Sequence, residues 1–202
     1  MGLRRRPLVL GIVLGAPVAL PAYAQDAAGA TAPVLKLRGG ILDLARQGWP
    51  PPQAQVLSLV DQTFDMSRIA RGVLGKNVSV SPEQEARVLQ VLRSRMAQQM
   101  VRFRPNPGDG FAVTETRPAG AAEWLIFTRS VPPGEAGARD PVVVAWRVAA
   151  ASGTPPRIVD LQRDGVSAVA TQRDDLAASL RRLGLNEAIA EMERRAALPP
   201  KD

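Results

Sequence analysis

The sequence predicts an α+β fold in which helices cover a twisted four-stranded antiparallel sheet. Apolar residues recur at helical spacing between residues 35 and 103, and strand-like segments follow between residues 111 and 163. The connections between these strands contain Pro and Gly and are too short for a crossover helix, so an antiparallel meander is the simplest topology. Two further helices end a chain whose 202 residues suit a single domain.

The first 24 residues have the pattern of a secretory signal peptide. A basic segment at residues 4–6 precedes an apolar segment at residues 8–20, and Ala22 and Ala24 form a small-x-small cleavage site before Gln25. The apolar segment is shorter than the roughly 20 residues that a spanning helix needs. We therefore expect export across the membrane with cleavage, and not an anchor.

Composition excludes several kinds of chemistry. The chain has no His and no Cys, and its single Tyr, Tyr23, lies in the predicted signal peptide. Catalytic triads, Cys nucleophiles and the usual zinc sites are therefore not available. Removal of the signal peptide takes away three Arg and no acidic residue, which lowers the net charge from +7 to +4. Arginines spread along the chain and few aromatic residues give no support to nucleic-acid binding.

The N-terminal part of the mature chain is expected to be helical after a leader. Residues 25–33 are rich in Ala, Gly and Thr, and we expect a flexible leader there. Residues 35–46 have a helical apolar face, which Gly48 and the following prolines should end. A second helix should begin at Gln53. We assign residues 34–198 to the domain and residues 199–202 to a tail.

A long helix should begin at Pro82 and end near Phe103. Ser81 can cap it, and Gln84 can reach back to the amide of the cap residue. An apolar stripe along this helix is, taken alone, most simply explained by core packing. Its methionines would also suit an adaptable cavity. The stripe contains Val88, Leu92, Met96, Met100 and Phe103.

The four predicted strands differ in how clearly they alternate. The best alternation is in the third strand, where Val142, Val144, Trp146 and Val148 share one face. The predicted strands are residues 111–117, 123–131, 142–149 and 157–163.

The segment after the fourth strand joins the sheet to a helix. Ile158, Leu161 and Val166 are expected to be buried, and Gly165 allows the chain to turn. Thr171 should cap the next helix, which would place Asp174 and Asp175 in its first turn. The last two helices should span residues 172–183 and 186–197.

Asp160 and Asp164 are the one carboxylate pair to consider for acid–base catalysis. On an extended strand they would lie about 13 Å apart, more than the roughly 5–9.5 Å used by glycosidases. We therefore favour a structural role for Asp160, which could bind backbone groups or Arg side chains where the strand meets the helix. Arg173 could pair with either carboxylate or could face a lipid phosphate.

Two sequence blocks resemble the toluene-tolerance, or MlaC-like, family of periplasmic lipid-binding proteins. The resemblance covers most of residues 52–196, with departures at Val78, Pro156 and Leu176, where the family usually has aromatic residues. The first block comprises Phe64, Asp65, Arg68, Ile69, Ala70, Leu74 and Gly75, followed by residues 81–84. The second comprises Trp146, Asp160, Asp164, Gly165, Val166, Ser167 and Arg173.

The resemblance implies an apolar cavity between sheet and helices that holds phospholipid acyl chains, and no catalytic residue, metal or cofactor. It also implies a periplasmic carrier whose partners are an outer-membrane lipoprotein complex and an inner-membrane ABC transporter complex. Arg173 would be a possible headgroup contact. The expected cavity wall consists of Ile69, Val73, Leu74, Val88, Leu92, Met96, Trp124, Ile126, Val144, Trp146, Ile158 and Val166.

Two alternatives stay open at this point. The same fold could carry a hopanoid or another polycyclic lipid, since relatives of the family accompany hopanoid synthesis. Alternatively, the protein could be a structural adaptor with a filled core that contacts membrane complexes through its basic surface. Bulkier or charged residues at Val144 or Leu92 should reduce the lipid carried if the wall is assigned correctly.

Overall fold

The computed structural model describes residues 22–102, 108–131, 141–151 and 153–197. The order of elements is α1 (Ala22–Gln47), α2 (Gln53–Thr63), α3 (Met66–Leu74), α4 (Pro82–Arg102), β1 (Gly110–Gly120), β2 (Glu123–Val131), β3 (Val142–Ala149), β4 (Arg157–Arg163), β5 (Val166–Ser167), α5 (Ala168–Leu183) and α6 (Leu185–Ala197). Most of the predicted signal peptide, Phe103 and the predicted tail lie outside the described residues.

The strands form one antiparallel meander in the order β1-β2-β3-β4-β5. The prediction of four strands was therefore one short, because Val166 and Ser167 pair with Arg163 and Gln162. Asp164 and Gly165 connect the two strands with φ angles of 53° and 78°. Positive φ at both central residues matches the twist of a two-residue hairpin. A two-residue strand is too short to show alternation, so the sequence pattern did not indicate it.

One face of the sheet is packed against helices. Trp124 lies opposite Val148 and Ile126 lies opposite Trp146, so these side chains share a face. That face joins a continuous core with α1, which packs across β1 to β4. The other face carries mostly half-buried and exposed side chains, including Phe127, whose ring lies 5.0 Å from the guanidinium carbon of Arg117.

Helix α1 differs from the prediction at its N-terminus. Residues 25–33, for which we expected a flexible leader, are helical, and Ala30 is completely buried. Ala is the strongest helix former, so the alanines of this segment favour a helix. The small side chains also allow the helix to pack closely. A Cβ at Gly40 would approach Leu59 Cδ1 to 2.6 Å, so α1 and α2 are in close contact at that point.

Helix α4 begins as its sequence predicted. The Ser81 amide donates to Gln84 Oε1 at 2.8 Å, and the Gln84 amide donates to Ser81 Oγ at 3.2 Å. This reciprocal pair is a capping box. The helix packs on α2, α3 and α6.

Helix α5 begins four residues earlier than predicted. Ser167 is its N-cap and accepts from the Ala170 amide at 3.0 Å, whereas the Thr171 hydroxyl donates to the Ser167 carbonyl. Asp174 and Asp175 therefore lie beyond the first turn. Within the described part of the chain, no helix is both long enough and apolar enough to cross a membrane.

Candidate functional site

An apolar pocket of about 300 Å³ lies between α3, α4, the β4–β5 hairpin and the start of α5, and it opens to solvent. We call it the apolar pocket. Helix α3 is placed at its wall by two features of the Phe64 block. The Asp65 carboxylate caps α3 by accepting from the Arg68 amide at 2.9 Å, and the Asp65 amide donates to the Ile158 carbonyl of β4 at 2.9 Å. These bonds fix α3 beside the edge of the sheet.

The structure divides the twelve residues predicted for the cavity wall into three groups. Those that line the apolar pocket are Ile69, Val73, Leu92, Met96 and Val166. Those that are buried in the core and do not line it are Leu74, Val88, Trp124, Ile126 and Ile158. Val144 and Trp146 are half-buried on the helix-facing side of the sheet and do not line it either.

Trp146 has a polar partner on the sheet. Its indole Nε1 donates to Thr128 Oγ1 at 2.8 Å, and that hydroxyl donates to the Val144 carbonyl at 3.3 Å. The buried Thr128 therefore satisfies the indole N–H, which a Trp side chain needs when it packs against a core. Trp146 is held against β2 and away from the pocket.

Val166 occupies a different environment from the one predicted. We expected a buried strand position, but its side chain is 61% exposed and lies at the edge of the apolar pocket. The reason is that β5 is a two-residue edge strand, so nothing packs on its outer side.

Five apolar residues that line the apolar pocket were not predicted for its wall. Phe64 is the C-cap residue of α2, Met66 begins α3, Leu161 lies in β4, and Ala168 and Val169 lie in the first turn of α5. Phe64 was part of the family block and Leu161 was expected to be buried, so both had a signal. The place of Val169 at the pocket depends on where α5 begins.

Asp160 links β4 to α5. Its carboxylate accepts from the Leu161 amide at 2.8 Å, the Ser167 hydroxyl at 2.6 Å and the Val169 amide at 3.1 Å. The prediction that Asp160 binds backbone groups where the strand meets the helix is therefore confirmed. Asp164 lies at the hairpin turn with its side chain 86% exposed, so the two carboxylates do not share a site.

The edge of the apolar pocket is polar and carries two arginines. Arg95, Gln99, Arg163 and Gln172 contribute to it, and Arg95 Nη1 donates to Gln172 Oε1 at 2.8 Å across the gap between α4 and α5. We call these four residues the rim. Arg163 is exposed and lies 3.7 Å from the Asp164 carboxylate.

Arg173 lies away from the pocket. It does not line it, and it forms an ion pair with Asp174 at 3.7 Å, not with Asp160 or Asp164. Its aliphatic stem runs beside Gly75 at the end of α3, where an added Cβ would come within 3.6 Å of Arg173 Cδ. The suggested pairing of Arg173 with Asp160 or Asp164 was therefore wrong.

Ion pairs hold α6 against its neighbours. Arg87 of α4 donates two hydrogen bonds to Glu193, at 2.8 and 2.7 Å. This bidentate contact raises the pKa of Arg87 and lowers the pKa of Glu193. Glu191 accepts from Ser179 at 2.9 Å, and this hydrogen bond, followed by contacts with Arg182 and Arg195, lowers the pKa of Glu191.

The described residues contain no group of three or more His, Cys, Asp or Glu side chains arranged to hold a metal ion. The chemical character of the site is therefore given by apolar walls, a rim of amides and guanidiniums, and the carboxylate of Asp160, whose oxygens are already engaged.

These features define an α+β domain with an apolar pocket between one edge of its sheet and the covering helices. Residues 52–194 match the family model described as MlaC protein. The chain therefore belongs to the MlaC family, as the two sequence blocks predicted.

The structure is similar to that of a phospholipid-binding protein from Ralstonia solanacearum, solved in complex with a phospholipid. The TM-score is 0.66 at 20% sequence identity, and the alignment covers 85% of this chain and 97% of the other. At that identity the likeness shows the shared fold. No curated protein matches the chain.

Proposed function

We propose that this protein is a periplasmic lipid carrier whose apolar pocket receives the acyl part of a phospholipid. The lipid would pass between the outer membrane and an inner-membrane ABC transporter. The observation that carries this proposal is the apolar pocket itself, which opens to solvent beside two arginines in a chain of the MlaC family. The structural neighbour with a bound phospholipid supports the same assignment.

The physical argument concerns the cost of moving a lipid through water. Each methylene group that leaves water for an apolar site is stabilised by about 0.8 kcal/mol. An acyl chain therefore needs a container for most of its length if it is to cross an aqueous compartment. Leu92, Met96, Ile69 and Val73 provide such surfaces from two facing helices.

The pocket must widen when a lipid enters. Its volume of about 300 Å³ is at the lower end of the range for small-molecule sites. Met66 and Met96 line it, and methionine side chains adapt easily to new shapes. We propose that helices α4 and α5 separate at the Arg95–Gln172 hydrogen bond, which spans them at the rim.

The location and partners form the second part of the proposal. The signal-peptide pattern at residues 1–24 supports export, and the MlaC family supports the periplasm. The expected partners are phospholipid, an outer-membrane lipoprotein complex and an inner-membrane ABC transporter complex. We propose no catalytic step, since the chain lacks His and Cys and the Asp160 carboxylate is engaged in structural hydrogen bonds.

Native mass spectrometry with lipid extraction tests the proposal directly. The protein is purified from the periplasm without detergent and then analysed for bound lipid. A stoichiometric diacyl phospholipid is the expected result. A bound polycyclic lipid would support the same pocket with a cargo of the hopanoid class. A protein that stays empty, even after incubation with vesicles, would favour the structural adaptor.

A pair of variants tests where the lipid lies. Leu92→Trp places a larger side chain in the apolar pocket and should lower the lipid recovered per protein. Val144→Trp is the matched control, because Val144 lies on the sheet and does not line the pocket. Circular dichroism establishes that both variants are folded. Equal loss of lipid in both would place the cargo along the sheet instead.

A further inference from the structure

Arg95 is the arginine at the rim whose charge is not balanced by a carboxylate. Its hydrogen-bond partner is the neutral side-chain amide of Gln172. Two arginines of the same helix provide the contrast, since Arg87 is paired with Glu193 and Arg93 with Asp61, each through two hydrogen bonds. Within the described ranges, no carboxylate lies at ion-pair distance from Arg95.

The carboxylates near Arg95 form no ion pair with it in the part of the chain that the structure describes. Behind it, a small cleft between α4, α5 and α6 contains Asp175 and Glu191, and Glu191 is occupied by Ser179, Arg182 and Arg195. On the pocket side, Asp160 accepts hydrogen bonds from the start of α5. Arg95 is half-buried, and its side-chain hydrogen-bond partner is the neutral amide of Gln172.

The neighbours of Arg95 on α4 are apolar and point to an amphipathic ligand. Leu92 and Met96 line the pocket on either side of Arg95 along the same helix. A guanidinium has five N–H donors in a planar arrangement that suits phosphate, and one bond to Gln172 leaves most of them for another acceptor. Arg163 lines the same pocket from the end of β4, where it forms an exposed ion pair with Asp164 at 3.7 Å.

We propose that Arg95 binds the phosphate of the lipid headgroup while the acyl chains lie against Leu92 and Met96, with Arg163 as a second, weaker contact. This inference rests on the proposed lipid-binding function and assigns the headgroup contact to Arg95 in place of Arg173. It predicts that the protein prefers lipids with a phosphate over neutral lipids with the same acyl chains.

The test compares two lipids that differ only in the phosphate. Vesicles of phosphatidylcholine contain either dioleoyl phosphatidic acid or dioleoylglycerol, and the mature protein is incubated with them, separated and analysed by native mass spectrometry. Wild type should take up the phosphatidic acid about tenfold better, since hydrogen bonds to charged groups contribute strongly. Arg95→Gln should lose this preference and still bind dioleoylglycerol.

Two further variants separate charge from structure. Gln172→Glu leaves Arg95 in place but pairs it with a carboxylate, and it should also abolish the preference. Arg173→Gln is the control and should keep it, because Arg173 lies outside the pocket. Arg95→Lys should keep part of it, since the charge remains without the planar donor geometry.

The outcomes are distinguishable. If Arg95→Gln and Gln172→Glu keep the preference while lipid still binds, the Arg95 assignment is overturned and the carrier function stands. If inorganic phosphate binds the wild type through Arg95 without competing with phosphatidic acid, the site is one for the free ion and the headgroup assignment is overturned. If the wild type takes up neither added lipid and no phosphatidylcholine from the vesicles, the carrier function itself fails.

Discussion

The apolar pocket and the core beneath the sheet contain the same kinds of side chain but differ in packing. Ile158 of β4 is completely buried in the core, and Ile69 of α3 is almost as buried but borders the pocket. Val88 and Leu92 stand one turn apart on α4, yet only Leu92 lines the pocket. The exposed fraction of the side chains is therefore similar in the two regions. The difference is that a core side chain faces other protein atoms, whereas a side chain at the pocket faces free space.

This difference matters because it decides what a mutation does. In a filled core, a removed or added methylene group meets closely packed neighbours on all sides. At a pocket wall, one side of the residue faces free space, so volume can change with a smaller effect on folding. We therefore expect core variants to change stability and pocket variants to change lipid content.

The largest expected effect comes from truncation of a core isoleucine. Ile158→Ala should lower the free energy of unfolding by about 2–5 kcal/mol, because it leaves a cavity among buried neighbours. Ile69→Ala should cost less, since its side chain already borders free space, and it should alter lipid content. Urea denaturation of both variants measures the difference. Equal costs would show that the pocket closes around Ile69 in solution.

Enlargement of a side chain should sharpen the same contrast. Val88→Phe should cost about 1–3 kcal/mol, because the added atoms have no free space in the core. Met96→Trp should destabilise the fold less and displace most of the bound lipid, since its added volume enters the pocket. Lipid extraction and thermal unfolding of the two proteins test this. A Met96→Trp protein with full lipid content would contradict the assignment of the wall.

Asp160 connects the two regions, and its loss should have an intermediate effect. Asp160→Ala removes three hydrogen bonds at the junction of β4 and α5 and should cost about 1–2 kcal/mol. Asp164→Asn is the control, because it changes an exposed side chain and keeps a residue type that tolerates positive φ. Hydrogen exchange at the start of α5 should increase only in the Asp160 variant.

The smallest effect concerns Glu191, which belongs to neither region. Because its pKa is lower in the folded protein than in the unfolded chain, its contribution to stability is complete above about pH 4.3 and is lost as the pH falls through the folded value. Glu191→Gln should therefore be less stable than wild type at pH 7, and this difference should shrink near pH 3. A difference that is constant over this range would assign the effect to packing.

The sequence predicted most of the fold because its signals are local. The capping box of Ser81 and Gln84, Gly48 after the end of α1 and the alternation in β3 all act within a few residues. The errors arose where local signals compete. Ser167 and Thr171 are both good cap residues, and the hydrogen bonds from Ser167 and Val169 to Asp160 determine which of them begins α5.

The site was harder to predict than the fold. Five of the twelve wall residues line the pocket, and the other seven are buried or half-buried elsewhere. The apolar pattern of Val88, Leu92 and Met96 is continuous along α4, so periodicity alone could not separate the residues at the pocket from those in the core. The contact between Arg95 and Gln172 joins residues 77 positions apart, and no short motif indicates it.

The sequence by itself determined the family, the order of the longer helices and of the first four strands, and the lack of His and Cys, because these depend on residue identity and short-range spacing. Only the tertiary structure decided which apolar residues border free space, and which arginines are paired with carboxylates. The physical reason is that cavities and ion pairs depend on how distant segments approach each other. Arg93 and Arg95 lie two residues apart on α4, yet Arg93 contacts the Asp61 carboxylate and Arg95 contacts the Gln172 amide.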